Sequence, residues 1–505
     1  MANPLYDSLF GVHAGKTAPF LHLSGGEVLT YQDFLALAAR MAHAMTQIGL
    51  EPGDRVAVQV EKSPEALALY AACAQAGLVF LPLNTAYTVD ELTYFIENSG
   101  AKLIVCDSKS EWNLLPVAKS LNAQLETLNA NGSGTLMDQA AVMPSSFPTT
   151  DRDGDDLAAF LYTSGTTGRS KGAMLTQNNL LSNAQTLAKE WRFTSDDVLL
   201  HALPIFHTHG LFVATNVTLA AGSSIIFLPK FDLDSIVELM PQATTMMGVP
   251  TFYTRLLSDP RFTKDLAAHM RLFVSGSAPL LAETHVQFEE RTGHRILERY
   301  GMTETNMNTS NPYDGDRRAG TVGFPLPGVE LKITDPSTGE TLPNGEVGQI
   351  EVRGPNVFKG YWQMPEKTAA ELRADGFFIT GDLGKIDEDG YVHIVGRNKD
   401  LIISGGYNIY PKEIELVLDE QPGVLESAVV GVPHPDFGET VVGVIVPAPG
   451  SSPDLDAIAK AAGISLARFK HPRKLVVVDD LPRNTMGKVQ KNILRDTYKD
   501  LFVSA

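Results

Sequence analysis

The first 110 residues alternate between helix-like and strand-like patterns, and this alternation constrains the fold more than any other feature. Thr30–Asp33 has the capping pattern of a helix N-terminus, and Ser63 and Pro64 suit an N-cap and a first helical position. The apolar stretch Arg55–Val60 has the pattern of a strand, and Thr88–Glu91 opens another helix. Strands that alternate with helices predict a mostly parallel β-sheet with helices on both faces.

The pattern changes twice further along the chain. Beyond Gly320 the sequence has short strands broken by Gly and Pro, and after Asp400 it returns to helices and strands. A length of 505 residues also exceeds one compact core. We therefore expect an α/β multidomain protein. It would have a large N-terminal domain of helix-flanked β-sheets with a β-barrel-like subdomain, and a small α+β C-terminal domain.

Composition excludes several classes of protein. The net charge of −18 argues against nucleic acid as a partner, because phosphate backbones require clustered Lys and Arg. The only cysteines, Cys73 and Cys106, lie in apolar segments, which argues against a disulfide framework. No secretion signal and no membrane span is recognised in the sequence. These features predict a cytoplasmic protein.

A loop rich in glycine and hydroxyl residues, "YTSGTTGRSKGA" from Tyr162 to Ala173, follows a predicted strand. It is not a Walker A motif, because Ser170 rather than Gly precedes Lys171. Glycines allow close approach of the backbone to an anion, and Lys171 supplies charge. The alternative is a flexible surface turn. The residues that we expect to bind phosphate are Thr163, Ser164, Gly165, Thr166, Thr167, Gly168 and Lys171.

Taken with four later motifs, this loop resembles the adenylate-forming superfamily, which includes acyl-CoA synthetases, peptide-synthetase adenylation domains and beetle luciferases. The later motifs are "ERYGMTET", "GFFITGDLGKID", "GRNKDLIISGGYNIYPKEIE" and "LPRNTMGKVQKNIL". The resemblance implies ATP, Mg²⁺ and coenzyme A as ligands. It also implies an N-terminal domain at 1–398 for ATP and acid, and a mobile C-terminal lid at 399–505 that carries the catalytic lysine and the CoA step.

The resemblance assigns roles within these motifs. Tyr300 would face adenine, Thr303 the α-phosphate and Glu304 the Mg²⁺, which hard oxygen ligands such as a carboxylate suit; Thr167 would be a second Mg²⁺ ligand. Asp382 would bind the ribose with Arg397 beside it. Without the resemblance, Glu304 is equally well a structural residue of a polar loop. The other residues that the resemblance places around ATP are Ser277, Ala278, Pro279, Glu298, Arg299, Gly301, Met302 and Lys488.

Lys488 follows Gly487 just before the terminal amphipathic helix. Attack of a carboxylate on an α-phosphate joins two anions, so a cation aimed at both lowers the barrier. A surface lysine at a helix start is the alternative, and the family motif favours the catalytic role. The resemblance also implies that acetylation of Lys488, by an acetyltransferase and deacetylase pair, would remove the charge and stop adenylation.

The acid is indicated by a second set of residues. The segment "HALPIFHTHGLFVA" contains His207 and His209, which lack a third metal ligand nearby. By resemblance, His207 takes the place of the aromatic that gates the acyl pocket. Arg255 lies in an otherwise apolar run, where a solvent-facing or structurally paired side chain is the alternative.

These segments resemble the malonyl-CoA synthetase branch of the family. There the counterpart of Arg255 holds the distal carboxylate of the acid. Thr208 and Met302 would border the α-carbon, and Ser277 would also line the acid site. The implied reaction is ligation of malonate to coenzyme A through malonyl-AMP, with release of AMP and pyrophosphate. Methylmalonate, another short acid, transfer to a carrier protein and a non-catalytic nucleotide sensor are the alternatives.

The resemblance finally implies a rotation of the C-terminal domain between the two half-reactions. Its hinge residue maps to Lys399, and the segment 404–408 would line the passage for coenzyme A. The residues of that passage are Gly405, Gly406 and Tyr407.

Overall fold

The computed structural model describes residues 2–163, 170–404, 407–484 and 487–502. These residues form two compact units. The first comprises residues 1–331 and 352–378, and the second comprises residues 332–351 and 379–505. The predicted α/β multidomain class, with a large N-terminal part and a small C-terminal part, is confirmed. The boundary at 398/399 refers to a hinge of motion and stays a prediction.

Strands account for the four sheets of the two units. In chain order they are β1 (Pro19–Leu23), β2 (Val28–Thr30), β3 (Arg55–Gln59), β4 (Val79–Pro82), β5 (Leu103–Cys106), β6 (Gln124–Thr127), β7 (Leu157–Thr163), β8 (Lys171–Thr176), β9 (Val198–His201), β10 (Ser224–Phe227), β11 (Thr245–Gly248), β12 (Leu272–Ser275), β13 (Leu297–Met302), β14 (Asn306–Ser310), β15 (Phe324–Pro325), β16 (Glu330–Thr334), β17 (Gly348–Arg353), β18 (Gly360–Tyr361), β19 (Phe378–Ile386), β20 (Val392–Arg397), β21 (Ile402–Ser404), β22 (Tyr407–Ile409), β23 (Val424–His434), β24 (Gly438–Pro447) and β25 (Lys474–Val477).

Helices cover the sheets. In chain order they are α1 (Pro4–Leu9), α2 (Tyr31–Gln47), α3 (Pro64–Ala76), α4 (Val89–Ser99), α5 (Ser108–Leu121), α6 (Thr135–Ala141), α7 (Gln177–Glu190), α8 (Asn216–Ala221), α9 (Leu233–Leu239), α10 (Pro250–Ser258), α11 (Lys264–Ala267), α12 (Ala282–Thr292), α13 (Pro365–Glu371), α14 (Pro411–Asp419), α15 (Leu455–Ser465) and α16 (Lys491–Tyr498). A π-helix, His209–Thr215, leads directly into α8.

The first unit contains two large sheets, and the central strands within each sheet are parallel. One has the order β15-β14-β13-β12-β11-β9-β10-β1-β2 and is parallel from β13 to β1. The other has the order β18-β8-β7-β4-β3-β5-β6 and is parallel from β7 to β6. The predicted parallel sheet is therefore present twice, with antiparallel strands at the edges. The carboxyl ends of parallel strands are where α/β proteins commonly bind ligands.

The helix starts predicted from the sequence are confirmed. Thr30 caps α2 by accepting from the Asp33 N–H, and Ser63 caps α3 ahead of Pro64. Thr88 and Glu91 form a reciprocal capping box at α4. Each cap satisfies an N–H group that has no partner within the helix.

The second unit contains a four-stranded sheet, β16-β17-β19-β20, where a barrel-like subdomain was expected. Its other sheet has the order β22-β21-β24-β23, with β25 parallel to β24. Along β23, Val429 belongs to the apolar cluster with α14, and Val430 to the cluster with Leu494 of α16. The alternation with a period of two places helices on both faces of this sheet.

The thiols and the apolar character of the helices can be compared with the expectations from composition. Cys73 and Cys106 are buried and have free thiols. Among the helices of the described residues, none combines the length and the apolar character needed to cross a membrane.

Candidate active site

The phosphate-binding loop connects two strands of the first unit. β7 and β8 are antiparallel, and Thr163 pairs with Lys171 across them. A Cβ at Gly172 would lie 2.2 Å from Cζ of Phe160, so this position requires glycine. The predicted residues Ser164, Gly165, Thr166, Thr167 and Gly168 lie outside the described residues. Thr163 and Lys171 mark the ends of the loop that the sequence predicts to bind phosphate.

Lys171 lies in a small cluster of charged and aromatic side chains. Its Nζ is 3.3 Å from Oε2 of Glu371 and 4.1 Å from the ring centre of Tyr361. Lys367 also contacts Glu371, with an N–O distance of 2.6 Å. Burial opposes ionisation of Glu371, but hydrogen bonds from Lys367 and Tyr361 and the charge of Lys171 hold the pKa of that carboxyl below its usual value. The cluster keeps Glu371 ionised beside Lys171.

Tyr361 connects this cluster to the predicted Mg²⁺ ligand. Its hydroxyl is 2.8 Å from Oε2 of Glu371 and 3.0 Å from Oε1 of Glu304. Burial, and then the charge of Glu304, raises the pKa of Tyr361, so the phenol stays protonated and donates a hydrogen bond to a carboxylate. Glu304 is only 5% exposed. The hydroxyl of Tyr361 thus holds the carboxylate of Glu304 in one orientation.

A tight turn between β13 and β14 presents Thr303 and Glu304. A Cβ at Gly301 would lie 1.9 Å from the carbonyl oxygen of Asn306, so the two strands approach closely only with glycine there. The N–H of Phe358 donates to the Glu304 carbonyl at 2.8 Å. Among the described residues, no group of three His, Cys, Asp or Glu forms a metal cage. One oriented carboxylate fits Mg²⁺ that also takes phosphate oxygens and waters.

The loop after β12 is tied to β13. Oε1 of Glu298 accepts from the N–H of Leu280 at 3.1 Å, which fastens the segment containing Ala278 and Pro279. Ser277 has a φ of 70°, a left-handed conformation that is uncommon outside glycine and occurs frequently at functional sites. Tyr300 and Met302 follow on β13 and are half-buried.

His209 is the first residue of a π-helix, which is a rare element that occurs often at functional sites. Thr208 is its N-cap residue, and His207 directly precedes Thr208. Nδ1 of His209 lies 3.1 Å from Oγ of Ser277. Nε2 of His209 and Oγ1 of Thr208 are buried, and no described residue forms a hydrogen bond with either atom. Burial, and then the charge of Arg299, lowers the pKa of His209 well below its usual value, so the ring is neutral. His207 is half-buried, and its Nδ1 lies 3.4 Å from the N–H of His209.

Arg299 is a buried cation in the same region. Its side chain lies beneath the loop after β12, because a Cβ at Gly276 would be 2.3 Å from Cζ of Arg299. The residue is 3% exposed, and its Nε and Nη2 have no hydrogen-bond partner among the residues that the structure describes. Burial lowers the pKa of Arg299 to about 9, which leaves the guanidinium charged at neutral pH. Tyr253 and the charge of Glu298 act in the opposite direction on this pKa. The two unpaired nitrogens of a buried cation suit an anionic ligand.

The sequence interpretation grouped Arg299 with the ATP residues and missed its closeness to His209. The available signal was a charged residue within the apolar strand that precedes the "YGMTE" turn. Arg255, in contrast, was singled out for the acid, and the structure places it on α10 with its side chain exposed. Its guanidinium carbon is 5.6 Å from the ring centre of Phe231. No carboxylate of the described residues pairs with Arg255, so the structural pairing considered from the sequence is not observed.

The second unit carries the remaining predicted residues. Asp382 and Arg397 face each other across β19 and β20, with 2.5 Å between Oδ1 and Nε. Lys399 lies in a short 3₁₀ turn, Asn398–Asp400. Tyr407 is exposed and stacks on Phe469 with 4.7 Å between ring centres. Gly405 and Gly406 lie outside the described residues.

Lys488 is held through its backbone in the second unit. Its N–H donates to Oδ1 of Asn484 at 3.0 Å, and its carbonyl accepts from the N–H of Asn484 at 2.9 Å. Gly487 precedes it with a φ of 73°, in the left-handed region that favours glycine. The residue is exposed. An anchored backbone with an exposed side chain suits a lysine that works as a point charge.

The comparison with known families matches both parts of the chain. The model of the AMP-binding enzyme family matches residues 11–362, and the model of the AMP-binding enzyme C-terminal domain matches residues 413–488. The chain therefore belongs to the AMP-binding enzyme family. It is an AMP-forming acid–CoA ligase that uses ATP, Mg²⁺ and coenzyme A.

Individual relatives differ in their acids. The crystal structure of ATP-bound MatB from Rhodopseudomonas palustris is 59% identical, with a TM-score of 0.98, and the match covers 99% of this chain and 100% of that one. A malonate–CoA ligase of Arabidopsis thaliana is 37% identical over 481 residues, which cover 89% of this chain and 78% of the relative. A feruloyl-CoA synthase of Amycolatopsis sp is also 37% identical, over 485 residues that cover 94% and 95%. Overall identity to these two ligases does not decide the acid.

Proposed function

We propose that the acid is malonate, and that the enzyme forms malonyl-AMP and then malonyl-CoA with release of AMP and pyrophosphate. The observation that carries the proposal is Arg299, a buried guanidinium with two free N–H groups beside His209 and the Ser277 loop. A second carboxylate on the acid would accept hydrogen bonds from these nitrogens and add to the negative charge that Glu298 already supplies near Arg299. The similarity to MatB and to malonate–CoA ligases supports the same acid.

Arg255 is proposed to contribute at the mouth of the same acid site. An exposed arginine without a carboxylate partner keeps its donors available for a bidentate contact. A monoacid would leave such donors bare, and sites built for a polar group reject analogues that lack it. Thr208 and Met302 are proposed to border the α-carbon, where methylmalonate has one additional methyl group worth about 1–3 kcal/mol.

In the first half-reaction, one malonate carboxylate attacks the α-phosphate of ATP and pyrophosphate leaves. Lys171 and the loop before it are proposed to bind the leaving group, so that the phosphates displace Glu371 from Lys171. Glu304, oriented by Tyr361, is proposed to hold Mg²⁺, which neutralises phosphate charge when it is bound. Thr303 would contact the α-phosphate, and Lys488 would supply the cation for the reacting oxygens.

In the second half-reaction, the thiol of coenzyme A attacks the carbonyl of malonyl-AMP and AMP leaves. Asp382 and Arg397 are proposed to hold the ribose. Rotation of residues 399–505 about Lys399 is proposed to separate the two steps, with Gly405, Gly406 and Tyr407 along the CoA passage. Acetylation of Lys488 by a lysine acetyltransferase is proposed as a control, because it would remove the charge of an exposed side chain. The free buried thiols of Cys73 and Cys106 agree with a cytoplasmic location.

The test is release of AMP that depends on ATP, Mg²⁺ and coenzyme A, with malonate, methylmalonate, succinate and acetate as acids. The wild type is compared with Arg255→Ala and Arg299→Met, and Thr254→Ala on the exposed side of α10 is the control. We expect malonate to be preferred and both arginine variants to lose that preference, while the control keeps it. Equal turnover of acetate by the wild type, or unchanged malonate turnover in both variants, would contradict the proposal.

A further inference from the structure

One continuous helical segment begins at His209, directly after Thr208 of the candidate acid site, and a Lys–His pair contacts it at each end. The segment runs from His209 through the π-helix and α8 to Ala221. At its start, Lys62 contacts His201, and His201 contacts the carbonyl of Gly210. At its end, Lys16 contacts His13, and His13 contacts the carbonyl of Leu219. The two arrangements have the same chemistry, but only the first adjoins the candidate acid site.

Lys62 is buried, and no carboxylate of the described residues pairs with it. Its Nζ lies 2.9 Å from Nδ1 of His201, 2.9 Å from the His201 carbonyl and 4.4 Å from the ring centre of Phe227. The residue is 9% exposed, and burial lowers the pKa of its amine well below the usual value. A long cationic side chain is costly to bury, so its retention here indicates a positional role.

The partners of His201 define its tautomer. Nε2 lies 2.8 Å from the carbonyl oxygen of Gly210, which can only accept, so Nε2 carries the hydrogen. The neutral ring then accepts at Nδ1, and Lys62 donates to it. Burial, and then the charge of Lys62, lowers the pKa of His201 well below its usual value, which keeps the ring neutral. Lys62 therefore fixes which atom of His201 donates to the π-helix.

Gly210 is the point where this chain of hydrogen bonds meets the acid site. Its carbonyl also accepts from Oγ1 of Thr215 at 3.0 Å, and a Cβ at Gly210 would lie 2.0 Å from the carbonyl oxygen of Pro204. The first turn of the π-helix is thus fixed by two hydrogen-bond donors to the Gly210 carbonyl and by the close approach of the Pro204 carbonyl. Thr208 and His209 immediately precede Gly210 in the chain, and each has a buried polar atom that is left for a ligand.

We propose that Lys62 and His201 are positioning residues for the acid: the hydrogen bonds from Lys62 to His201 and from His201 to Gly210 set the place of Thr208 and His209. The inference rests on the proposed function, because it takes the acid to bind at Thr208 and His209. We call these two hydrogen bonds the relay. Loss of the relay is expected to weaken binding of the acid without weakening binding of ATP, because Lys171, Tyr361 and Glu304 are not part of it.

The experiment compares Lys62→Met with Lys16→Met, which removes the matching donor at the other end of the helical segment. The readouts are KM for the acid, KM for ATP and kcat in pyrophosphate exchange, together with thermal unfolding. For Lys62→Met we expect KM for the acid to rise about tenfold, the size expected for one lost buried hydrogen bond. KM for ATP should change less than about twofold, and Lys16→Met should leave both constants within about twofold.

The order of kcat/KM among the acids in the wild type tests the proposed function. The difference in KM between Lys62→Met and Lys16→Met tests the relay, and it is measured with whichever acid of the panel has the highest kcat/KM. The two ideas therefore fail separately. A fall in thermal stability without a change in KM for the acid would overturn the inference. So would an equal rise in both KM values, or an equal response of Lys62→Met and Lys16→Met.

Three other variants serve if Lys62→Met does not fold. Thr215→Val removes the second donor to the Gly210 carbonyl at nearly constant volume, and its KM for the acid should rise while KM for ATP stays constant. His201→Gln keeps an N–H donor near the position of Nε2, and it should retain tighter acid binding than His201→Leu. Unchanged acid KM in Thr215→Val, or equal acid KM in the two His201 variants, would contradict the relay.

Discussion

At the scale of single residues, the site depends on polar atoms whose orientation is set by neighbours distant in sequence. Glu304 is the clearest case, because Tyr361 holds its carboxylate from 57 positions away. The same hydroxyl reaches Glu371, which pairs with Lys171. The predicted Mg²⁺ ligand and the predicted phosphate ligand are therefore linked by one phenol.

Replacing Tyr361 with Phe tests this link. The change removes the hydrogen bond to the buried carboxylate of Glu304, which is worth about 1.5–3 kcal/mol, and should raise the Mg²⁺ concentration for half-maximal pyrophosphate exchange about tenfold or more. Tyr31→Phe is the control, since the buried Tyr31 hydroxyl donates to the carbonyl of Ser223. A Mg²⁺ requirement that is the same in both variants would contradict the role of Tyr361.

At the scale of elements, local signals and burial patterns act on different parts of the structure. The N-terminus of α4 is determined locally, because Thr88 and Glu91 satisfy each other's backbone N–H groups. The buried faces of α3, in contrast, come from packing, since nearly the whole helix is apolar.

Thr88→Ala is expected to lower the free energy of unfolding by about 1 kcal/mol, because it removes the cap of α4. Thr93→Ala, on the exposed side of the same helix, should cost less because the hydroxyl donates only to the Val89 carbonyl within the helix. Urea unfolding measures both, and AMP release should match the wild type. A larger loss in Thr93→Ala than in Thr88→Ala would show that the cap does not control this helix.

At the scale of the whole molecule, a buried ion pair joins distant parts of the first unit. Asp197 pairs with Arg271 at 2.6 Å and accepts from Thr244 at 2.7 Å. Burial raises the pKa of Asp197, but the hydrogen bonds from Arg271, Thr194 and Thr244 outweigh it, so the pKa lies below the usual value. The pair thus connects the start of β9 with the residue before β12.

The lowered pKa predicts a pH dependence of stability. A carboxyl with a depressed folded-state pKa contributes stability above its unfolded pKa, near about 3.9, and loses it as pH falls through the folded value. The difference in unfolding free energy between wild type and Asp197→Asn should therefore be constant from pH 6 to pH 5 and shrink below about pH 4. Urea unfolding across this range measures it. A difference that grows on acidification would contradict the assignment.

The proposed hinge makes a prediction about catalysis. Lys399→Pro fixes φ and removes an N–H at this position, which should hinder rotation more than it hinders the conformation for adenylation. We expect malonate-dependent pyrophosphate exchange to persist while CoA-dependent AMP release falls at least about tenfold, as expected when the second half-reaction becomes limiting. Lys399→Ala is the control for loss of the side chain. Lys385→Pro cannot serve as a control for the proline, because Lys385 lies within β19. Equal loss of both activities in Lys399→Pro would contradict the hinge.

The amino-acid sequence by itself determined the family, the ligands and the local starts of helices. Glycines at 172 and 301, the capping residues and the charged residues of the motifs act over a few positions, and such signals are present in the chain whatever its tertiary contacts. The residues of the ATP side can therefore be named from these motifs, and their roles stay predictions.

Only the tertiary structure decided which polar atoms face each other. The motif predicts that Arg299 lies at the ATP site, which stays a prediction, and the fold adds that it is buried under Gly276 and beside His209. Lys62 and His201 are 139 positions apart, and no local pattern connects them. Burial turns such pairs from ordinary surface groups into groups that need a specific partner, because an unmet hydrogen bond is costly only away from water. Contacts of this kind depend on how whole helices and strands pack together, and no short stretch of sequence specifies that packing.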